Sequence, residues 1–265
     1  MATVTRNISL RNQARVIWAC TTRFVQARTR ESPIGILSNI VEPLATILIL
    51  GLIFTYIRFR LPKLGDYLML FLMTAILPIT MFRQGATQSE QVFMRLKRNL
   101  VLPQVQPIDL LLAGLLTTFL TTTALFMLLT IVFVLIYDVP WPQNIVFCMI
   151  PTFCNAMIGL GFGMMNLVIK SWFFYWGVIF GTLTAPVGVL SGMFFTADYL
   201  PQAAQDILYW SPLMHSTELM RTYYYKEFTS EFFDPIYYYG FTFTALAVGL
   251  ICERTFRYRI IKDKK

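Results

Sequence analysis

Charge is scarce in this chain. Only 14% of its 265 residues are Asp, Glu, Lys or Arg, against about a quarter in a water-soluble domain. With 56% of residues hydrophobic, an ordinary soluble fold is excluded and a bilayer is the expected solvent. Histidine is scarcer still: one residue, His215, rules out multi-histidine metal chemistry within the chain. The four cysteines (Cys20, Cys148, Cys154, Cys252) lie far apart, mostly inside apolar runs and never as CxxC, so neither a disulfide framework nor a zinc site is expected. No GxxxxGK[ST] loop is present, which excludes that mode of ATP binding. HExxH, GxSxG and paired aspartates within an apolar run are missing too, so hydrolysis at membrane depth is not expected. The midplane acid of an ion-coupled transporter is also lacking; Glu42 sits at the inner end of an apolar run beside Pro43.

What is present is long apolar runs. A membrane-crossing helix needs about 20 mostly apolar residues, and six such spans are expected at residues 39–57, 67–87, 110–137, 145–169, 173–195 and 237–252. The chain therefore reads as an all-α polytopic membrane protein, one transmembrane domain over residues 1–265. An even number of spans puts both termini on one side. Seventeen basic residues flank the spans on that side and five on the other, so the termini are expected in the cytoplasm. The net charge of +8 then reads as topology and contact with lipid headgroups, not as nucleic-acid binding. No cleavable signal peptide is expected, because the N-terminus is dotted with arginines instead of carrying a basic tip and an apolar core.

Three segments fall outside this plain bundle. Residues 9–30 read as an amphipathic helix: Leu10, Ala14, Ile17, Trp18, Phe24 and Val25 share one arc, and Arg11, Arg15, Arg23 and Arg30 lie opposite, with Val16 and Arg28 against the pattern. Such a helix lies in the interface, either as a lipid anchor or as a lateral rim for a lipid-linked substrate, the rim residues being Arg11, Arg15, Trp18 and Arg28. Between spans two and three, a short amphipathic helix carrying Arg95, Lys97 and Arg98 is stopped by Pro103 and Pro107. A stiff helix there can pass force to a soluble partner, and a solvated positive-inside loop is the plain alternative. Between spans five and six, residues 200–225 are too apolar for a solvated loop. They are expected to form two short helices split at Ser211-Pro212 that dip back into the outer leaflet.

On the second of these helices His215, Glu218 and Arg221 recur every three residues and so share one side. A structural latch, with Glu218 bridging the two cations, stands beside contact with an anionic group on cargo. Tyr199, Tyr223, Tyr224 and Tyr225 belong to an outer aromatic belt, and their rings could equally stack on sugars. Span three carries Thr117, Thr118, Thr121, Thr122 and Thr123, whose hydroxyls either bond back to their own helix or line a polar path. A membrane enzyme using Glu218 and His215 as acid and base, and a passive channel, are two further readings. Neither has a metal, acceptor or filter motif behind it.

RTRESPIGILSNIVEPLATILIL (Arg28 to Leu50), LVLPQVQPIDLLLAG (Leu100 to Gly114) and WSPLMHSTELMR (Trp210 to Arg221) resemble, in order and spacing over essentially the whole chain, the ABC-2 type permeases that export capsular polysaccharide across the inner membrane of Gram-negative bacteria. Gly114 departs from the arginine common among relatives. The resemblance implies a homodimer bound to two copies of a separate ATPase, which holds the ATP and magnesium, with no cofactor on this chain. It further implies a coupling helix over 93–103 (Phe93, Arg95, Leu96, Lys97, Arg98, Asn99, Leu102 and Pro103) and a re-entrant hairpin over 200–225 near the exit. The implied cargo is a lipid-linked acidic polysaccharide passed to a periplasmic adaptor and an outer-membrane exporter. O-antigen, teichoic acid or a lipid is the alternative cargo.

Overall fold

The computed structural model describes the backbone of residues 15–23, 26, 34–57, 67–96 and 107–262, and the side chains of 15–23, 26, 40–57, 67–87 and 108–257. Every regular element among the described residues is helical, as an apolar chain in lipid requires, because a helix satisfies its own backbone. Residues 15–23 form α1. Then follow α2 (Ile34–Ile57), α3 (Leu68–Leu96), α4 (Pro107–Tyr137), α5 (Met149–Lys170) and α6 (Trp176–Leu190). A 3-10 turn at Ala197–Tyr199 leads to α7 (Gln202–Leu208), α8 (Pro212–Tyr224) and α9 (Pro235–Lys262).

Local chemistry sets several of these ends. Pro107 opens α4 with Asp109 in its first turn, a residue order that suits both the missing N–H of proline and the positive end of the helix dipole. Asp234 caps α9: its Oδ1 accepts from the N–H groups of Ile236 (2.8 Å) and Tyr237 (3.1 Å), with Pro235 at the first helical position.

Helix α5 is the centre of the bundle, packed against α3, α9, α4 and α8, with α6 on its rim. Small residues allow this. A Cβ on Gly159 would stand 2.4 Å from the carbonyl oxygen of Phe82 in α3, and one on Gly161 would stand 2.4 Å from that of Ala245 in α9. In lipid there is no hydrophobic drive between helices, so such close backbone approach supplies the packing energy. Ile47, Leu72, Met73, Phe126 and Met220 build one buried cluster between α2, α3, α4 and α8, and Met81, Leu111, Leu160 and Met164 build another between α3, α4 and α5.

Among the described residues, four helical stretches are long and apolar enough to cross a membrane: Leu68–Thr87, Ile108–Tyr137, Met149–Lys170 and Pro235–Arg257. Ile40–Tyr56 and Trp176–Leu190 are apolar but shorter. Three expectations change. The helix of span two does not stop near Thr87 but runs on to Leu96, so the first part of the 93–103 segment continues α3 instead of forming a separate helix. The fourth run does not begin its helix at Ile145: residues 143–148 are turns, held by N–H groups of Gln143 and Asn144 on the carbonyls of Tyr224 and Tyr223 (3.1 and 3.0 Å). The fifth run, expected at 173–195, is helical only over Trp176–Leu190, about 22 Å at 1.5 Å per residue. Gly192 has φ +80 and ends it.

Candidate functional site

The chain leaves α6 through a non-helical stretch, residues 191–196, before the 3-10 turn. Backbone freed from a helix at membrane depth must find protein partners, and α8 supplies them. Leu213 through Arg221 are all buried. Thr217 Oγ1 donates to the carbonyl of Ser191 at 2.8 Å, Arg221 Nη2 to that of Gly192 at 2.6 Å and Nη1 to that of Phe195 at 2.8 Å. Glu218 Oε1 accepts from the N–H of Ala197 at 3.0 Å. Gly192 fits for two reasons: its φ is left-handed, and a Cβ there would meet Met214 Sδ and Thr217 Oγ1 at 2.9 Å. Arg221 is completed by Glu218 at 3.7 Å and by the ring of Phe71 in α3, 3.8 Å from its guanidinium carbon.

His215 takes no part in that pair, so the expected bridge through Glu218 joins Arg221 alone. Its Nδ1 accepts from the N–H of Asp234 (3.3 Å), which leaves Nε2–H to donate to the carbonyl of Tyr209 (2.8 Å). Rings surround it: Phe232 and Tyr237 at 5.0 Å and Tyr209 at 5.3 Å between centroids. Burial in this cage pushes the imidazole pKa below its ordinary value, against the Tyr209 carbonyl and the Asp234 charge. The Tyr209 hydroxyl donates to Asp234 Oδ2 at 2.5 Å and, with the N–H groups of α9, holds that carboxyl below the usual range. Both His215 and Glu218 are fully buried and committed to backbone partners. The pair has the geometry of a fastening, not of an acid and base open to substrate.

A polar network that the sequence reading missed ties the same region to the bundle. Asn155 in α5 donates to the carbonyl of Pro78 in α3 (2.9 Å) and to Ser216 Oγ in α8 (2.8 Å), while the Tyr238 hydroxyl of α9 donates to Asn155 Oδ1 (3.1 Å). The available signal was an asparagine inside an apolar run, one of two there with Asn166.

The remaining candidates separate. Tyr224 is buried and packs edge-on against Phe126 (6.2 Å), Tyr223 and Tyr225 are half-buried, and Tyr199 is exposed. Three of the five clustered threonines of α4 bond back to their own helix, Thr117 to Ala113, Thr118 to Gly114 and Thr121 to Thr117, while the buried Thr123 hydroxyl has no hydrogen-bond partner among the described residues. Arg15 and Trp18 are exposed on α1; Arg11 and Arg28 lie outside the described residues. Phe93, Arg95 and Leu96 fall in the last turns of α3, and Lys97, Arg98, Asn99, Leu102 and Pro103 lie outside the described residues.

Residues 15–225 match the family model described as ABC-2 type transporter. The chain is 29% identical over 223 residues to the capsule polysaccharide export inner-membrane protein BexB of Haemophilus influenzae, covering 83% of this chain and 82% of that protein. It is 25% identical over 242 residues to CtrC of Neisseria meningitidis serogroup A, of the same description, covering 91% of each. The polysialic acid transport protein KpsM of Escherichia coli is 26% identical over 240 residues, 88% of this chain and 90% of that one. The matched residues take in α1 through α8, the fastening of α8 included, and the chain belongs to the ABC-2 type transporter family.

Proposed function

We propose that this chain is the inner-membrane subunit of an ATP-driven exporter of lipid-linked acidic capsular polysaccharide, working as two copies with two copies of a separate ATPase. The reading is supported by relatives named for capsule polysaccharide export and polysialic acid transport. The observation that carries its mechanism is the continuity of α3. One helix runs from Phe71, under Arg221 at the outer end, to Leu96, inside the segment taken as the coupling helix. Its 29 residues make a rod of about 43 Å at 1.5 Å per residue. A push at the inner end reaches the fastening of the α6 exit without crossing a loop. Both termini and residues 93–103 lie in the cytoplasm on this reading, six segments cross the membrane, and residues 200–225 dip into the outer leaflet. ATP and magnesium sit on the partner; the adaptor and outer-membrane exporter receive the polymer.

The full chain purified alone should hydrolyse no ATP, and co-expression with its ATPase should yield a complex that Arg95→Glu or Leu96→Asp weakens while membrane insertion persists. Unchanged co-purification of both variants would remove this segment from the coupling role. Deletion should strip surface capsule and leave lipopolysaccharide unaltered; loss of O-antigen instead would assign the other cargo.

A further inference from the structure

At the Lys170 end of the bundle, α6 stands away from α3 and leaves a cavity of about 80 Å³ floored by α5. Arg83 and Thr87 line it from α3, Asn166 from α5, and Gly177, Gly181 and Thr184 from α6. We propose that this groove binds the phosphodiester headgroup of a membrane lipid, with phosphatidylglycerol as the occupant whose chemistry it matches. The argument is a count of donors and acceptors. Asn166 is 5% exposed, Trp176 Nε1 donates to its Oδ1 at 2.8 Å, and its Nδ2 has no hydrogen-bond partner among the described residues, leaving two N–H donors for the groove. Arg83 adds a guanidinium, half-exposed, with Glu42 at 3.9 Å. These groups donate and do not accept, so they call for an anion, and a planar guanidinium is suited to phosphate oxygens.

The two threonines set the rest of the headgroup. Thr87 Oγ1 donates to the carbonyl of Arg83 (3.0 Å) and Thr184 Oγ1 to that of Phe180 (2.8 Å). Their hydrogens are committed and their lone pairs remain, which suits a headgroup that also carries hydroxyls. Glycerol attached to phosphate supplies both; choline supplies no hydroxyl. Space is reserved by Gly181, where a Cβ would find nothing within 4 Å, and Lys170 Nζ stands 3.6 Å from the Cβ position of Gly177 at the rim. Exposed Phe174 and Val178 beside it offer apolar surface to the acyl chains.

The test uses the full chain purified from a host that makes no capsular polysaccharide, with bound lipid read by native mass spectrometry after exchange into phosphatidylglycerol or phosphatidylcholine. One phosphatidylglycerol per chain should be retained over phosphatidylcholine, and occupancy should fall about tenfold in Arg83→Gln and in Gly181→Leu, the loss expected from one charge-assisted contact or from a filled groove. Gly181→Leu puts its side chain into open space, so an unchanged melting temperature separates lost binding from lost folding. Equal retention of the two lipids, or wild-type retention in Gly181→Leu, overturns the proposal. So does displacement by inorganic phosphate, or full replacement by a lipid-linked sugar phosphate in a host that makes one. The readout is bound lipid on solubilised protein, so it stands or falls separately from the export reading and from the sidedness of the chain.

Discussion

Arg221 meets two carbonyls, a carboxylate and an aromatic ring, and its Nη groups are aimed at backbone that α6 has left unpaired. Arg221→Met should therefore cost about 3–5 kcal/mol, because Glu218 stays buried without its cation and two carbonyls lose their donors. Arg221→Lys should fall between, since one ammonium cannot serve as a planar fork. Melting in detergent checks the order wild type, Lys, Met; equal midpoints would deny the fastening. His215 gives a pH dependence. Its folded pKa is lowered, so the unfolded chain takes up a proton first as pH falls. Its contribution is complete above about pH 6.5, the ordinary histidine value, and is lost as pH drops towards the lowered folded value. Asp234, also lowered, contributes above the usual carboxylate range near 4 and fails only in stronger acid. Burial raises Glu218 and Asp198, so these carboxyls act in the opposite sense as pH falls, and the loss of stability between pH 6.5 and 5 that His215→Gln should remove in melts is the histidine's share. An identical slope in the variant would sink the assignment.

At the scale of elements, the helix pair α7–α8 was legible because proline cannot continue a helix and Ser211-Pro212 is a local signal. The end of α6 was not. Residues 192–195 continue the apolar run, so hydropathy extends the helix to Phe195, while the left-handed Gly192 and its partner Arg221 stop it from 29 positions away. The latch was half legible for a related reason: periodicity places His215, Glu218 and Arg221 on one side, but the partners of His215 come from Tyr209 and Asp234, which no helical spacing connects. Asn155 was missed likewise, its partners lying 61 to 83 residues away. Two element-level predictions follow from α3. Gly159→Val should abolish folded protein, as its Cβ overlaps the Phe82 carbonyl and both are backbone-held; a stable variant seen by size-exclusion chromatography would mean that α3 and α5 can part. Ser89→Pro interrupts the rod between the membrane and residues 93–103. It should leave ATPase assembly intact while cutting transport-linked hydrolysis several-fold in proteoliposomes, and undiminished coupling would show that α3 does not carry the force.

For the whole molecule, the helices that pack least decide where a polymer could pass. α5 is sealed to α3 and α9 by backbone contact at Gly159 and Gly161, which leaves no room for a chain of sugars between them. α6 is different: only Gly188 of its fifteen residues is buried, and it is too short to cross about 30 Å of hydrocarbon as a helix, while the stretch after it is held by hydrogen bonds from α8. On the proposed two-copy assembly, the second copy would cover this exposed helix. Its arrival would also enclose the exposed Leu48, Leu52 and Tyr56 of α2, and a path between copies would then run beside α6 and open at the stretch that Arg221 fastens. Single cysteines at Val178 and Leu183, 71% and 59% exposed on α6, in a background lacking the four native thiols, should cross-link to dimers in native membranes. Cysteines at Leu128 of α4 and Phe243 of α9, 57% and 64% exposed, serve as matched controls that lipid alone should cover. Dimers from the controls and none from α6 would move the interface, and with it the path, to the other side of the bundle.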